Sequence, residues 1–277
     1  MLQNSIFKNG ILLGISLMLV SACATNKYAA TNKVYKEQAT AFGNTIKAIP
    51  PVNQLADSVA VVQQSFIGSV NFGIRKPNYV IIHHTALKST DLAISTFINK
   101  KNETSAHYII GRDGKLVQMV NDYLRANHAG VGKWGNTTDL NSGSIGVELD
   151  NNGNEPFQDA QIQTLMALLA TLKKKYNIPA ANFIGHSDIA PGRKIDPYKF
   201  PWKQLSEKGF GLWYDAILQI PPDSFDTVAA LRIIGYNTIN MTAAVKAFKI
   251  HFIQKDESPV LSQEDKMILF NLYKKYL

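Results

Sequence analysis

Between residues 79 and 185 the chain alternates short β-branched runs with helical periodicity, an order that restricts this stretch to an α/β architecture. Tyr79-Val80-Ile81-Ile82 is a continuous apolar run, as expected of a strand buried on both faces. Leu92 to Asn99 carries a helical pattern. Ala106 to Val120 reads as two strands joined by Arg112-Asp113-Gly114-Lys115, a hairpin signal. Ser144 to Leu149 is a further strand, closed by the turn-forming cluster Asp150-Asn151-Asn152-Gly153-Asn154. Phe157 to Tyr176 is the clearest helix: Ile162, Leu165, Met166, Leu169 and Leu172 fall on one face, and Lys173 to Lys175 favour its C-terminal end. That stripe is core packing. Asn182-Phe183-Ile184-Gly185 supplies one more strand. The expected fold is therefore α/β, a mixed central sheet covered by helices.

Both ends of the chain differ from this middle. Residues 1–22 read as an export signal of the lipoprotein type, with Lys8 as the only charge and a short apolar core from Ile11 to Val20. That core is shorter than the ~20 residues a permanent transmembrane helix needs. Val20-Ser21-Ala22-Cys23 resembles the bacterial lipobox, in which the cysteine is acylated. Cys23 is the only cysteine of the 277 residues, so an internal disulfide is excluded. The expected location is an exported lipoprotein held at a membrane through Cys23, with Ala24 compatible with the outer membrane and a periplasmic face. Residues 23–50, rich in Ala, Thr, Asn and Lys, read as a weakly structured tether. The main domain is expected over 51–215. After Ile220-Pro221-Pro222-Asp223 the strand signals stop. Phe225 to Ile234, Thr242 to Ile253 and Ser262 to Tyr276 read as three helices of a small domain over 216–277, the last opened by a capping box at Ser262 and Asp265.

A formal charge of +8 favours anionic partners, either phospholipid head groups or a carboxylate-bearing wall polymer. Nucleic acid is the other reading of such a charge. Export argues against it, and the longest basic run, Lys173-Lys174-Lys175, is a solvated helix face.

Chemistry concentrates in residues 185–197, Gly-His-Ser-Asp-Ile-Ala-Pro-Gly-Arg-Lys-Ile-Asp-Pro, directly after a strand. A strand end is rigid, and the loop beyond it is free to carry reactive groups. Neutral imidazole together with carboxylate suits zinc, and a lysine beside them suits a developing oxyanion. The six histidines are His83, His84, His107, His128, His186 and His251. His83 and His84 are neighbours at a strand end, so they leave on opposite faces and only one can join a shared site. Asp188 reads as a loop cap or a substrate contact, and His251 as packing on a C-terminal helix.

Residues 79–86 (Tyr-Val-Ile-Ile-His-His-Thr-Ala), 105–108 (Ser-Ala-His-Tyr), 127–130 (Asn-His-Ala-Gly), 144–149 (Ser-Ile-Gly-Val-Glu-Leu) and 185–197 together resemble the type 2 N-acetylmuramoyl-L-alanine amidases. The likeness is to the cell-wall recycling and lipoprotein amidases, whose fold is shared with peptidoglycan recognition proteins. The resemblance implies one zinc ion per chain, held by His83, His186 and Asp196 with a fourth position open for water. It implies Glu148 as the acid/base group and Lys194 as the oxyanion stabiliser. His107 and His128 are either partners of the ligands or substrate contacts, or else hydrogen-bonded structural histidines. Residues 225–277 are similar to a three-helix peptidoglycan-binding-like domain. Ala106 stands where phage-type and recognition-type members often have tyrosine, and Asp196 where they often have cysteine, which places the chain with the glutamate-dependent recycling amidases. The implied substrate is peptidoglycan or muropeptides, cut at the amide between the lactyl group of N-acetylmuramic acid and L-alanine. The implied state is a monomer. The alternatives are a recognition module that binds without cutting, whose members tend to lose a metal ligand where all three positions and Glu148 are filled here, and a zinc peptidase acting within the stem peptide, which would share every metal ligand.

Overall fold

The computed structural model describes residues 26–48 and 74–277. The chain divides into two units, Met1–Gly68 and Ser69–Leu277. Within the first, Ala29–Ala48 forms helix α1, none of whose residues is buried. The sequence reading expected this stretch to be weakly structured. The Ala, Lys, Glu and Gln within it are good helix formers and sustain a helix without a buried face. Residues 1–25 and 49–73, including Cys23 and the whole export signal, lie outside the described residues. Among the described residues, no helix is long and apolar enough to cross a membrane.

In the second unit the elements follow as β1 (Tyr79–His84), α2 (Thr90–Ile98), β2 (Tyr108–Ile110), β3 (Leu116–Gln118), α3 (Leu140–Gly143), β4 (Ser144–Leu149), α4 (Asp159–Tyr176), β5 (Phe183–Gly185), α5 (His186–Ile189), α6 (Trp202–Ser206), α7 (Thr227–Ile234), α8 (Met241–Phe248) and α9 (Gln263–Tyr276). A π-helical turn, Lys249–Ile253, extends α8. The five strands form one sheet in the order β3-β2-β4-β1-β5. All neighbours are parallel except the β2–β3 hairpin. Gly114 makes that hairpin feasible: its φ is +81°, and an added Cβ would sit 2.8 Å from the Ala160 carbonyl oxygen.

Strand alternation divides the apolar side chains between two cores. On one face Val80, Ile82, Tyr108, Ile110, Ile145, Val147 and Leu149 pack against α4 through Ile162, Leu165, Leu168, Leu169 and Leu172. Helix α4 stops at Asn177, which takes the left-handed conformation that asparagine tolerates at φ +54°. On the opposite face Ile81 and Ile184 join Ile189 and Ala190, and this core is completed by Leu231, Ile234, Val245, Phe248 and Leu269 of α7, α8 and α9. Each of those three helices has a side-chain cap: Asp226 accepts from the N–H groups of Val228 and Ala229, Asn240 from that of Ala243, and Ser262 forms the expected box with Asp265. At the core's edge, the fully buried Lys249 ammonium pairs with Asp265 at 3.0 Å and with Asp256.

Candidate active site

Three adjacent parallel strands deliver functional side chains at their carboxyl ends, where open α/β sheets form binding crevices. Central strand β1 ends in His83 and His84. On one side β4 places Glu148 in register with His83, and on the other β5 leads straight into His186. Side chains at matching positions of parallel neighbours share a face, so His83 and Glu148 both point away from α4. Asp196 comes from the loop after α5, and its carbonyl accepts from the Ser187 N–H at 2.7 Å, tying together the backbone around both loop residues.

The result is a buried trio. His83 Nδ1 lies 2.9 Å from His186 Nδ1, and Asp196 Oδ2 lies 3.0 Å from His186 Nδ1 and 3.4 Å from His83 Nδ1. Four ligands at ~2.0 Å around a tetrahedral zinc stand about 3.3 Å apart, which is close to these separations. The protonation pattern of the neighbours fits as well. The Ser144 hydroxyl donates to the Leu140 carbonyl, so its oxygen accepts from His128 Nε2 at 3.2 Å. His128 Nδ1 then accepts from His83 Nε2 at 3.1 Å, which leaves His83 Nδ1 with a bare lone pair. His186 Nε2 donates to the Ala129 carbonyl at 3.1 Å, so His186 Nδ1 is bare too. Two lone pairs and a carboxylate oxygen facing one another have no proton to share; a cation between them satisfies all three.

The electrostatics follow from burial. Desolvation, reinforced by His186, lowers the pKa of His83 to about 4, keeping it neutral. Burial and the surrounding histidines hold His128 well below its usual range. Burial alone would raise the Asp196 carboxyl, but its close approach to His186 and His83 outweighs this and brings Asp196 far below the usual carboxylate range. Glu148 has no such partner. Burial, with the Asp196 charge adding to it and Lys194 opposing, raises Glu148 to about 8. Its Oε2 is buried without a hydrogen-bond partner among the described residues. Lys194 is half-buried, and its ammonium makes no hydrogen bond among the described residues, so it stays available to a bound molecule.

The remaining histidines take different places. His107 Nδ1 accepts from the Gly146 N–H at 3.1 Å and its Nε2 donates to the Leu124 carbonyl at 3.1 Å, so both nitrogens are committed to the scaffold. His84 lies on the α4 side, where Nδ1 accepts from the Tyr198 N–H at 3.3 Å. His251, expected to be packing alone, also binds Asp188 at 2.7 Å. Asp188 does cap the loop, accepting from the Gly185 N–H at 2.7 Å. The sequence reading missed Ser144, the Ala129 carbonyl and Asn141, whose Oδ1 accepts from the N–H groups of His128 and Ala129 at 3.0 and 2.9 Å. Gly146 was the available signal: a Cβ there would lie 2.3 Å from His128 Cγ, so only glycine lets this ring cross β4. Gly146→Ala is therefore expected to displace His128 and weaken zinc binding about 10- to 100-fold, as loss of a ligand's hydrogen-bond partner typically does. Chelator competition measures this, and an unchanged affinity would leave His128 without influence on His83.

Comparison with known proteins agrees with this geometry. The family model Amidase_2, N-acetylmuramoyl-L-alanine amidase, matches residues 73–199. The N-acetylmuramoyl-L-alanine amidase AmiD of Escherichia coli (strain K12) is 34% identical over 206 residues, spanning 62% of this chain and 74% of AmiD. The 1,6-anhydro-N-acetylmuramyl-L-alanine amidase AmpD of Enterobacter cloacae is 45% identical over 102 residues, 36% of this chain and 54% of AmpD. Among solved structures, E. coli AmiD in complex with anhydro-N-acetylmuramic acid-L-Ala-D-gamma-Glu-L-Lys superposes with a TM-score of 0.66 at 29% identity, covering 76% of this chain and 93% of AmiD. AMPDH3 from Pseudomonas aeruginosa, in complex with anhydromuramic pentapeptide, gives 0.65 at 28% identity over 79% of this chain and 99% of its own. The motifs, the fold and these relatives agree: the chain belongs to the type 2 N-acetylmuramoyl-L-alanine amidase family.

Proposed function

We propose that this enzyme is a zinc-dependent amidase that hydrolyses the bond between the lactyl group of N-acetylmuramic acid and the L-alanine of the stem peptide, in peptidoglycan or its fragments. The observation that carries the reading is the convergence of His83 Nδ1, His186 Nδ1 and Asp196 Oδ2 beside Glu148, whose Oε2 has no hydrogen-bond partner among the described residues. These three residues would hold one zinc ion, which when bound polarises the amide carbonyl and lowers the pKa of a coordinated water to ~7. The charge of a bound dication would offset the burial that raises Glu148 and favour its ionised form. That carboxylate takes a proton from the attacking water and returns it to the alanine nitrogen as the C–N bond breaks, so the amine leaves neutral. Lys194 faces the negative charge that develops on the former carbonyl oxygen. His128 and the Ala129 carbonyl keep His83 and His186 in the tautomers whose Nδ1 atoms face the metal. Relatives captured with anhydromuramyl peptides support fragments of peptidoglycan as the substrate class.

The test is mass spectrometry of muropeptides incubated with the purified chain from Ala24 onward, with zinc and with chelator. Zinc-dependent release of stem peptides with a free L-alanine amine and intact sugars is the expected result. No cleavage by a zinc-loaded chain would make it a recognition module; cuts inside the stem would make it a peptidase.

We further propose that Cys23 is acylated and holds the enzyme at a membrane, the outer membrane facing the periplasm, with residues 23–50 as tether, 51–215 as the amidase domain and 216–277 as a wall-binding unit on a monomeric chain. Support comes from the Val20-Ser21-Ala22-Cys23 motif and from the absence of any second cysteine. Cys23→Ala is expected to move the protein from the membrane fraction to the soluble fraction and to abolish incorporation of an alkyne-tagged fatty acid. Unchanged fractionation and labelling would refute the anchor.

A further inference from the structure

The aspartate two residues beyond His186 is held from the far end of the chain. Asp188 is completely buried, and its carboxylate accepts three hydrogen bonds of 2.7 Å each. One comes from the Gly185 N–H at the end of β5. The second comes to Oδ1 from the Tyr236 hydroxyl, just after α7, and the third to Oδ2 from His251 Nδ1, in the π-helical turn after α8.

His251 is fixed on both sides, stacked on Trp202 at 4.0 Å and on Phe252 at 4.1 Å between ring centroids. Its other nitrogen is buried without a hydrogen-bond partner among the described residues. Apolar packing alone would favour a hydrocarbon ring here, because an unsatisfied buried nitrogen and a buried carboxylate both cost free energy. What the polar trio adds is direction. Three bonds arriving from different elements leave the Asp188 side chain one orientation, and α5, which carries His186 at its start, is only four residues long. The same loop rests on α8 elsewhere: Ile189 and Ala190 share a core with Ala244, Val245 and Phe248, and a Cβ on Gly192 would lie 3.1 Å from that of Ala243. Through the Ser187 N–H to Asp196 carbonyl bond, holding α5 also holds Asp196.

We propose that the C-terminal helices set the geometry of the metal site, with Tyr236 and His251 as positioning residues that act through Asp188 on His186 and Asp196. This rests on the zinc-site reading above. It gives α7 to α9 a role inside the catalytic unit, separate from any contact with the wall.

The test uses the full mature chain. His251→Phe keeps the stacked ring and removes the donor, Tyr236→Phe removes only a hydroxyl, and His251→Asn restores an N–H donor near the position of Nδ1. Zinc affinity by chelator competition is expected to fall about 10-fold in each Phe variant and further in the double variant. It is expected to recover largely in His251→Asn. On a soluble muropeptide, kcat should fall with KM little changed, whereas a wall-binding role alone would raise KM on intact sacculi and leave zinc affinity untouched. Folded Phe variants with wild-type zinc affinity and kcat would overturn the proposal, as would lowered melting temperatures accompanied by no change in either. A wild-type chain that binds no zinc would instead remove the reading beneath it.

Discussion

Glu148→Gln is expected to lower turnover of a soluble muropeptide by about 10²–10⁴-fold, the usual contribution of a positioned acid/base group, while leaving zinc content and fold intact. Glutamine fills the same volume on β4, and Oε2 makes no hydrogen bond among the described residues that the change would break. What disappears is the ability to carry a proton between water and the leaving amine. Wild-type-like turnover in a zinc-loaded variant would take Glu148 out of the reaction. Stability gives an independent check on the metal-free protein. There the folded-state pKa of Glu148 is raised by burial to about 8, above its unfolded value. The native state therefore keeps a proton that the unfolded state releases, and the contribution to stability is complete below the unfolded pKa and lost as pH rises toward 8. Metal-free wild type should lose stability against Glu148→Gln across that window in denaturant titrations, and parallel curves would mean that Glu148 is not desolvated.

The strands and helices that could be read were those whose burial is one-sided or complete. The Tyr79–Ile82 run is continuous because both strand faces are buried, the hairpin shows through its turn residues around Gly114, and the α4 stripe shows as a helical period. His83, His186, Asp196 and Glu148 were legible through the resemblance of their motifs, and the register of β1 with β4 places two of them side by side. What the sequence could not provide was pairing across long separations. Nothing local links Ser144 and His128 to His83, or Tyr236 and His251 to Asp188, 48 and 63 residues apart. A histidine on an amphipathic helix reads as packing until its partner is known. Helix α1 escaped for the opposite reason: Val34, Phe42 and Ile46 recur at helical spacing but stay exposed, and the polar composition around them reads as a tether.

His186→Ala is expected to abolish both stoichiometric zinc and measurable turnover, and the surroundings indicate that the fold will survive the loss. The Ala129 carbonyl keeps its hydrogen bond from Arg193 Nη2 at 3.0 Å, and the Ser187 N–H still binds the Asp196 carbonyl, so the loop retains its backbone ties. The removed ring takes one of three converging ligand atoms, and with it the neighbour that lies 3.0 Å from Asp196 Oδ2. His83 and Asp196 alone offer two ligands, short of the three protein ligands of a catalytic zinc site. The neighbouring strand position supplies the control. His84 follows His83 directly but faces the α4 side, where it only accepts from the Tyr198 N–H, so His84→Ala should keep zinc. Metal analysis of both folded variants separates the cases. Full zinc occupancy in His186→Ala would show that the ion is held elsewhere, whereas loss confined to His186→Ala would tie metal binding to the face of β1 that carries His83.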